Sequence, residues 1–410
     1  MNLNKANSYF YFVVLSLLFI LLTTMSYSSL YNGLLILNFN MDYLFFVLCL
    51  LVLFITSLIV LFFFNVFGGT QYFLIGSCIF SVYCFCINNF LLFWVSYELS
   101  IIFLLFLIYS DSPYTDRFLA GWYLFAYSFL CGLPLLVLLF YCGNDSVLVF
   151  DNNISFKIDS FSGLLLCLIF IAKIPLVPFH TWLPIVHAEA STVVSICLSG
   201  YIMKLGLVGI VRFCLNVLDS NFVLSYMVFA FIGCLLQFFR SIEEFDFKRW
   251  LAMLSVAHIG VSVVCLLTNA QSGIEKSLLF GLGHGISAGY FFLLIMVLGV
   301  IGGGRNSSML SVINSWSISN VWLLLIGFCL VASFPPVVNF FIEVWLLSAF
   351  NNTFMWVVLL SIYLFFSSLI PLSLLGYGLT RRFGSYILCV NESYLVSFCL
   401  LFFYTVLLPL

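Results

Sequence analysis

Apolar runs longer than the roughly 18 residues needed to cross a bilayer recur along this chain, parted by short polar linkers. The pattern predicts thirteen membrane segments, near 8–24, 43–66, 71–88, 90–110, 117–142, 158–179, 189–214, 222–240, 248–268, 273–301, 316–349, 354–378 and 393–409. Asn88-Asn89 makes the tight turn between the third and fourth. Two segments are interrupted. Pro175 and Pro178 break the sixth, and Pro335-Pro336 splits the eleventh, because proline removes a backbone donor and clashes with the preceding turn. The two breaks lie five segments apart, an odd number, so the broken helices run in opposite directions. Interrupted helices at matching places in inverted halves mark transporter folds. The expectation is an all-α transmembrane bundle of about thirteen helices forming one domain over 1–410. Residues 71–214 make a first inverted repeat and 222–378 a second.

Composition removes the alternatives. Only 7% of the 410 residues are charged and 64% are hydrophobic, against about a quarter charged in soluble domains. The net charge of −2 says nothing about partners, and there is no basic stripe for nucleic acid. The 14 cysteines lie almost all in apolar segments, and Cys84 and Cys86 match no zinc or iron–sulfur spacing, so they read as small lipid-compatible residues. The N-terminal apolar run lacks a convincing small-residue cleavage site and reads as a first membrane helix. Fifty phenylalanines, with abundant Tyr, Asn, Ile and Leu, fit AT-biased coding of the organellar kind.

The linkers set the topology. Alternating sides places Lys5, Arg117, Arg240, Lys248, Arg249, Arg305, Arg381 and Arg382 with the N-terminus, and Lys157, Lys276 and Arg212 opposite. By the positive-inside rule the N-terminus faces the compartment of synthesis and the C-terminus the other side. The run Arg240, Glu243, Glu244, Asp246, Lys248 and Arg249 reads as a loop at the membrane surface.

Chemistry concentrates in what remains within the apolar segments: Glu98, Lys173, His180, His187, Glu189, Lys204, His258, His284 and Glu343. A charge at the bilayer centre costs roughly 2.5–3.5 kcal/mol even on lenient insertion scales, so such residues tend to mark ion or proton paths. A Glu98–Lys173 pair would set the lysine's proton affinity. Lys204 is too deep to snorkel, whereas Arg212, eight residues on, can reach the headgroups. Histidine titrates near neutrality, which suits a relay, although a membrane histidine is also often a hydrogen-bonded core residue. Glu343 stands about two turns after the second break. His180, His187 and Glu189 lack the i, i+4 face of a zinc helix and Pro184 interrupts them, so they line the mouth of a path or hold a loop rather than bind metal.

These residues also carry a resemblance. AKIP followed by FHTWLPIVHAEAS, then MKLGLVGIVR, DFKRWLAMLSVAHIG, GHGISA and FPPVVNFFIEVW, in collinear order from Glu98 to Glu343, are similar to the antiporter-like membrane subunits of respiratory complex I. The resemblance implies a proton path of Glu98 with Lys173, then Lys204, then His258 with His284, then Glu343. His180, His187, Glu189 and Lys248 would be accessory. It implies a mitochondrial inner-membrane protein with its N-terminus on the matrix side and its C-terminus on the intermembrane-space side. The chain would be a proton-translocating subunit of an NADH:ubiquinone reductase and would hold no cofactor itself. NADH, FMN, iron–sulfur clusters and ubiquinone would be used in other subunits. Its partners would be membrane-arm subunits on both sides and lipids, cardiolipin among them. A subunit of a multi-subunit cation/proton antiporter is the alternative. The chain departs from the family where Ile185-Val186 and Ser191 replace a loop lysine and a proline, and where thirteen segments stand for the usual fourteen helices, as though an N-terminal one were lost.

Overall fold

A computed structural model describes residues 43–63, 70–87, 89–142, 160–268, 271–302, 304–306 and 318–380. The expected segments 8–24 and 393–409, and with them the sidedness of the termini, lie outside these. The described residues are helical almost throughout. Seven helices are long and apolar enough to cross a membrane, and shorter apolar helices accompany them.

The chain divides into two compact units. The first comprises Met1–Ile174 and Glu189–Val223. Its helices are α1 (Tyr43–Phe63), α2 (Gln71–Cys86), α3 (Phe90–Asp111), α4 (Arg117–Cys142), α5 (Ser160–Lys173) and α7 (Thr192–Phe213). Neighbours in sequence pack as neighbours in space from α1 to α5, and α7 closes against α1, α2 and α5. The turn before α3 works because the Asn89 carboxamide oxygen accepts from Leu91 N at 3.0 Å, satisfying an orphan donor of the first turn. Every residue of α7 from Val193 to Ile210 is buried, whereas α4 exposes Trp122, Leu130 and Val137. An apolar helix open to its surroundings is at home in lipid, and a polar-bearing helix closed off from them is not, so α7 is the core of this unit.

The second unit comprises Pro175–Ala188 and Leu224–Leu410. It holds nearly all of α6 (Trp182–Glu189) and α8 (Asn221–Glu243), then α9 (Phe247–Leu266), α10 (Gln271–Gly302), α11 (Ile318–Val331), α12 (Val338–Ala349) and α13 (Phe354–Thr380). The pairing of α9 with α10 is its most extensive contact, and both are buried nearly all round. Asp246 caps α9, accepting from Lys248 N at 2.9 Å, and its other oxygen pairs with Arg305 Nε at 3.2 Å.

Both breaks fall where the prolines predict. The helix of the first stops at Lys173, five residues before Pro178, and that of the second at Val331, five before Pro336. The bonds Val177–Pro178 and Pro335–Pro336 are cis. The sixth segment is shorter than expected, and an unexpected helix follows it. Pro184 does not interrupt the next stretch, because it falls in the first turn of α6, where a missing N–H is no loss.

Close packing of α5 on α7 depends on small residues. A Cβ on Gly209 would stand 2.2 Å from Phe170 Cε1, so the Phe170 ring seats directly on the α7 backbone. Gly209→Ala should therefore destabilise the protein by about 1–3 kcal/mol through overpacking. Gly376→Ala is the control, since a Cβ there meets nothing within 4 Å. Thermal melting of the two purified variants checks this: the first should melt earlier and the second should not.

Candidate functional site

The first unit carries an ion pair. Lys173 is the last residue of α5, so the break points the helix's C-terminal carbonyls at the lysine's own end, a setting that favours a cation. Its ammonium lies 2.8 Å from Glu98 Oε1 on α3 and 3.6 Å from the centre of the Tyr97 ring, which adds a cation–π contact. Lys173 and Tyr97 are buried. Room for the carboxylate comes from α4: a Cβ on Gly132 would stand 2.6 Å from Glu98 Oε1, and Trp94 Nε1 fastens the helices by donating to the Gly132 carbonyl at 2.7 Å. The pair anticipated from the sequence is formed. Tyr97 and Gly132 gave no sign of their part in it.

Lys204 lies on α7, two residues beyond a π-helical turn at Leu198–Ile202. It is 1% exposed, too little for its ammonium to reach a membrane surface. The ammonium donates to the Ser199 carbonyl inside the π turn, where the ladder is loosened. Among the described residues no carboxylate stands within ion-pair distance of it. Tyr201, also in the π turn, shares a 2.7 Å hydrogen bond with Ser77 on α2. Arg212 departs from expectation. Its guanidinium donates to the Phe85 and Ile87 carbonyls, closing the C-terminus of α2 rather than reaching for headgroups. Freed carbonyls at a buried helix end need donors, and a two-armed guanidinium supplies two.

In the second unit three side chains form a continuous chain. His258 Nδ1 on α9 lies 2.5 Å from the Tyr363 hydroxyl on α13, and that hydroxyl donates to Glu343 Oε1 on α12 at 3.1 Å. Ser333, in the break itself, donates to the same oxygen at 3.0 Å. All four are buried, with Glu343 4% exposed, so the hydroxyls replace the water a carboxylate would otherwise need. The His284 ring on α10 has its centre 5.6 Å from that of His258. Ser333 and Tyr363 were not singled out from the sequence, since neither carries a charge.

The accessory residues are dispersed. His180 lies in the first break with Nε2 3.0 Å from the Gln237 amide nitrogen on α8. His187 is fully buried on α6 and stacks on Phe292 at 5.1 Å. Glu189 ends α6, and its carbonyl accepts from Ser112. Lys248 is buried at the start of α9, whereas Arg240 and Glu243, expected in a surface loop with it, stand exposed in the last turn of α8. Arg249, rather, forms a 4.0 Å surface pair with Glu244. Arg305 adds a tie that was not foreseen, donating to the Ala188 carbonyl at 2.5 Å while it holds Asp246. Among the described residues no three His, Cys, Asp or Glu side chains converge as a metal site would require.

Apolar, membrane-length helices broken at buried titratable groups have the architecture of transporter folds. The sequence profile of the NADH:quinone oxidoreductase/Mrp antiporter transmembrane family matches residues 87–371, and this chain belongs to that family. It is similar to NADH-ubiquinone oxidoreductase chain 4 of Locusta migratoria, 32% identical over 327 residues, which are 77% of this chain and 72% of that protein. The Aedes aegypti chain 4 is likewise 32% identical, over 69% of this chain and 64% of that one, so the match spans just under two thirds of the latter. The fold is shared with solved structures. Respiratory complex I from Thermus thermophilus gives a TM-score of 0.81 at 21% identity, covering 90% of this chain and 81% of that chain. The membrane-bound sulfane sulfur reductase, an archaeal respiratory membrane complex, gives 0.84 at 14%, covering 98% and 88%. The Mrp complex from Dietzia gives 0.73 at 16%, covering 90% and 75%.

The 2.8 Å pair yields a double-mutant cycle. Glu98→Ala leaves an ammonium buried without its carboxylate and should destabilise the protein by about 3–5 kcal/mol. Adding Lys173→Met should recover most of that loss. Denaturation of the purified single and double variants measures both steps.

Proposed function

We propose that this chain is a proton-translocating membrane-arm subunit of an NADH:ubiquinone oxidoreductase. The observation that carries the reading is that its buried titratable groups are held in specific hydrogen-bonded partnerships inside an otherwise apolar bundle. Glu98 meets Lys173 at 2.8 Å, and His258, Tyr363 and Glu343 form a chain. A scaffold has no physical need for such groups. In a path, a proton passes directly between partners already in contact, Glu98 with Lys173 and His258 with Tyr363 and Glu343, and the Lys204 ammonium on its backbone carbonyl is a further group that can lose or regain one. Family membership and the names of the relatives support this reading.

In the reading, electron transfer elsewhere changes charge and hydration along Glu98, Lys173, Lys204, His258, His284 and Glu343. NADH, FMN, iron–sulfur clusters and ubiquinone act in other subunits, and this chain carries no redox site. Its neighbours are membrane-arm subunits, with lipid, cardiolipin among it, on the faces that α4 leaves open. The setting is the mitochondrial inner membrane, N-terminus toward the matrix and C-terminus toward the intermembrane space. The two broken helices are matching parts of inverted repeats over 71–214 and 222–378. The equal spacing of Pro178 after Lys173 and Pro336 after Val331 supports that correspondence.

The fold shared with the Mrp complex keeps one rival, a subunit of a multi-subunit cation/proton antiporter. Co-purification with flavin and iron–sulfur subunits favours the first reading, and sodium-dependent transport without them favours the second. Lys204→Met tests the path. It should leave the complex assembled and lower the number of protons moved per NADH oxidised in sealed vesicles. An unchanged ratio removes Lys204 from the mechanism.

A further inference from the structure

We propose that the Tyr363 hydroxyl is a proton-passing group that joins His258 to Glu343, a step that rests on the proton-translocating reading above. The geometry is directional. Tyr363 is the donor toward Glu343 Oε1 at 3.1 Å, which leaves its oxygen to accept from His258 Nδ1 at 2.5 Å. That arrangement requires the imidazole to carry a proton on Nδ1, a tautomer assigned from the network. The other ring nitrogen, His258 Nε2, is buried and has no hydrogen-bond partner among the described residues. One nitrogen is therefore committed to the relay and the other is open to receive.

The step balances without any further reactant. A proton arriving at Nε2 converts neutral His258 to imidazolium. The Nδ1–H bond breaks as that proton binds the Tyr363 oxygen. The hydroxyl's original proton passes to Glu343 Oε1, turning carboxylate to carboxylic acid. Tyrosine ends neutral, with its hydroxyl hydrogen now directed at His258, and the histidine ends as its Nε2–H tautomer. The starting state returns when Glu343 passes its proton on, the hydroxyl turns about the C–O bond and His258 exchanges its Nε2 proton for one on Nδ1. Neither tyrosinate nor doubly protonated tyrosine need persist, because the two transfers are coupled through one oxygen. Ser333 holds Glu343 Oε1 at 3.0 Å throughout and fixes the acceptor. The phenol ring is clamped by Phe231 and Phe238, with ring centres 6.0 and 5.6 Å away, so the oxygen is held while its hydrogen turns.

The test is made in the assembled complex, counting protons moved per NADH oxidised. Tyr363→Phe keeps the ring and removes only the oxygen, and should lose the same share of protons as Glu343→Gln. The double variant should lose no more than either single one, because both interrupt one chain. Phe239→Leu loosens the same α8–α13 packing through Phe366, 4.7 Å away, without touching the relay residues and should keep the wild-type ratio. An unchanged ratio in Tyr363→Phe, with a lowered one in Glu343→Gln, overturns the relay and leaves the wider reading standing. An unchanged ratio in both overturns the wider reading at this cluster and the relay with it. An equal loss in Phe239→Leu also overturns the relay, since packing alone would then account for the effect. Where Tyr363→Phe does not assemble, His258→Gln with Glu343→Gln gives the same test from the other end: equal, non-additive losses support the relay and additive losses overturn it.

Discussion

A charge placed among apolar helices must be met by another group, and that constraint decides where the polar residues of this chain stand. Lys173 shows it most plainly. It is set at the end of a helix, 2.8 Å from a carboxylate and against the face of Tyr97, so three separate electrostatic features converge on one ammonium. Glu343 is met differently, by two hydroxyls on one oxygen, one from the break and one from a neighbouring helix. Lys204 has a lighter arrangement, a backbone carbonyl in a loosened turn. The three environments form a graded series from full ion pair to single dipole. A series of this kind is what groups that must exchange a proton require, since a uniformly tight partner would hold it.

The helix breaks make these environments possible. A continuous helix consumes its own carbonyls and donors, whereas a broken one presents ends and turns inside the membrane. In the first break the charge sits on the residue that ends the helix, Lys173. The corresponding place in the second is Val331, and the charge lies in the following helix at Glu343, steadied by Ser333 from the break. Two breaks spaced alike thus present opposite charges in different ways.

Much of this was legible in the sequence, because membrane helices leave a strong signal and because a charge in an apolar run is conspicuous. The broken helices followed from Pro178 and Pro336, and the Glu98–Lys173 pair from two opposite charges that each needed a partner. What escaped did so for physical reasons. Tyr363, Ser333 and Tyr97 are uncharged and lie among dozens of aromatic and hydroxyl residues that pack without chemistry, so only distance distinguishes them. Pro184 suggested an interruption, yet proline is harmless in a first turn, and α6 forms across it. Arg212 looked able to snorkel, but its guanidinium is taken up by the carbonyls ending α2, and no linear pattern encodes that proximity.

The central claim is that these partnered groups change protonation during turnover rather than merely stabilise the bundle. Infrared difference spectroscopy of the assembled complex, turning over minus resting, tests it most directly in the carboxylic-acid carbonyl region. The account predicts a band that appears during turnover, shifts in heavy water and is missing from the Glu343→Gln complex. A spectrum in that region identical in the wild-type and Glu343→Gln complexes would contradict it.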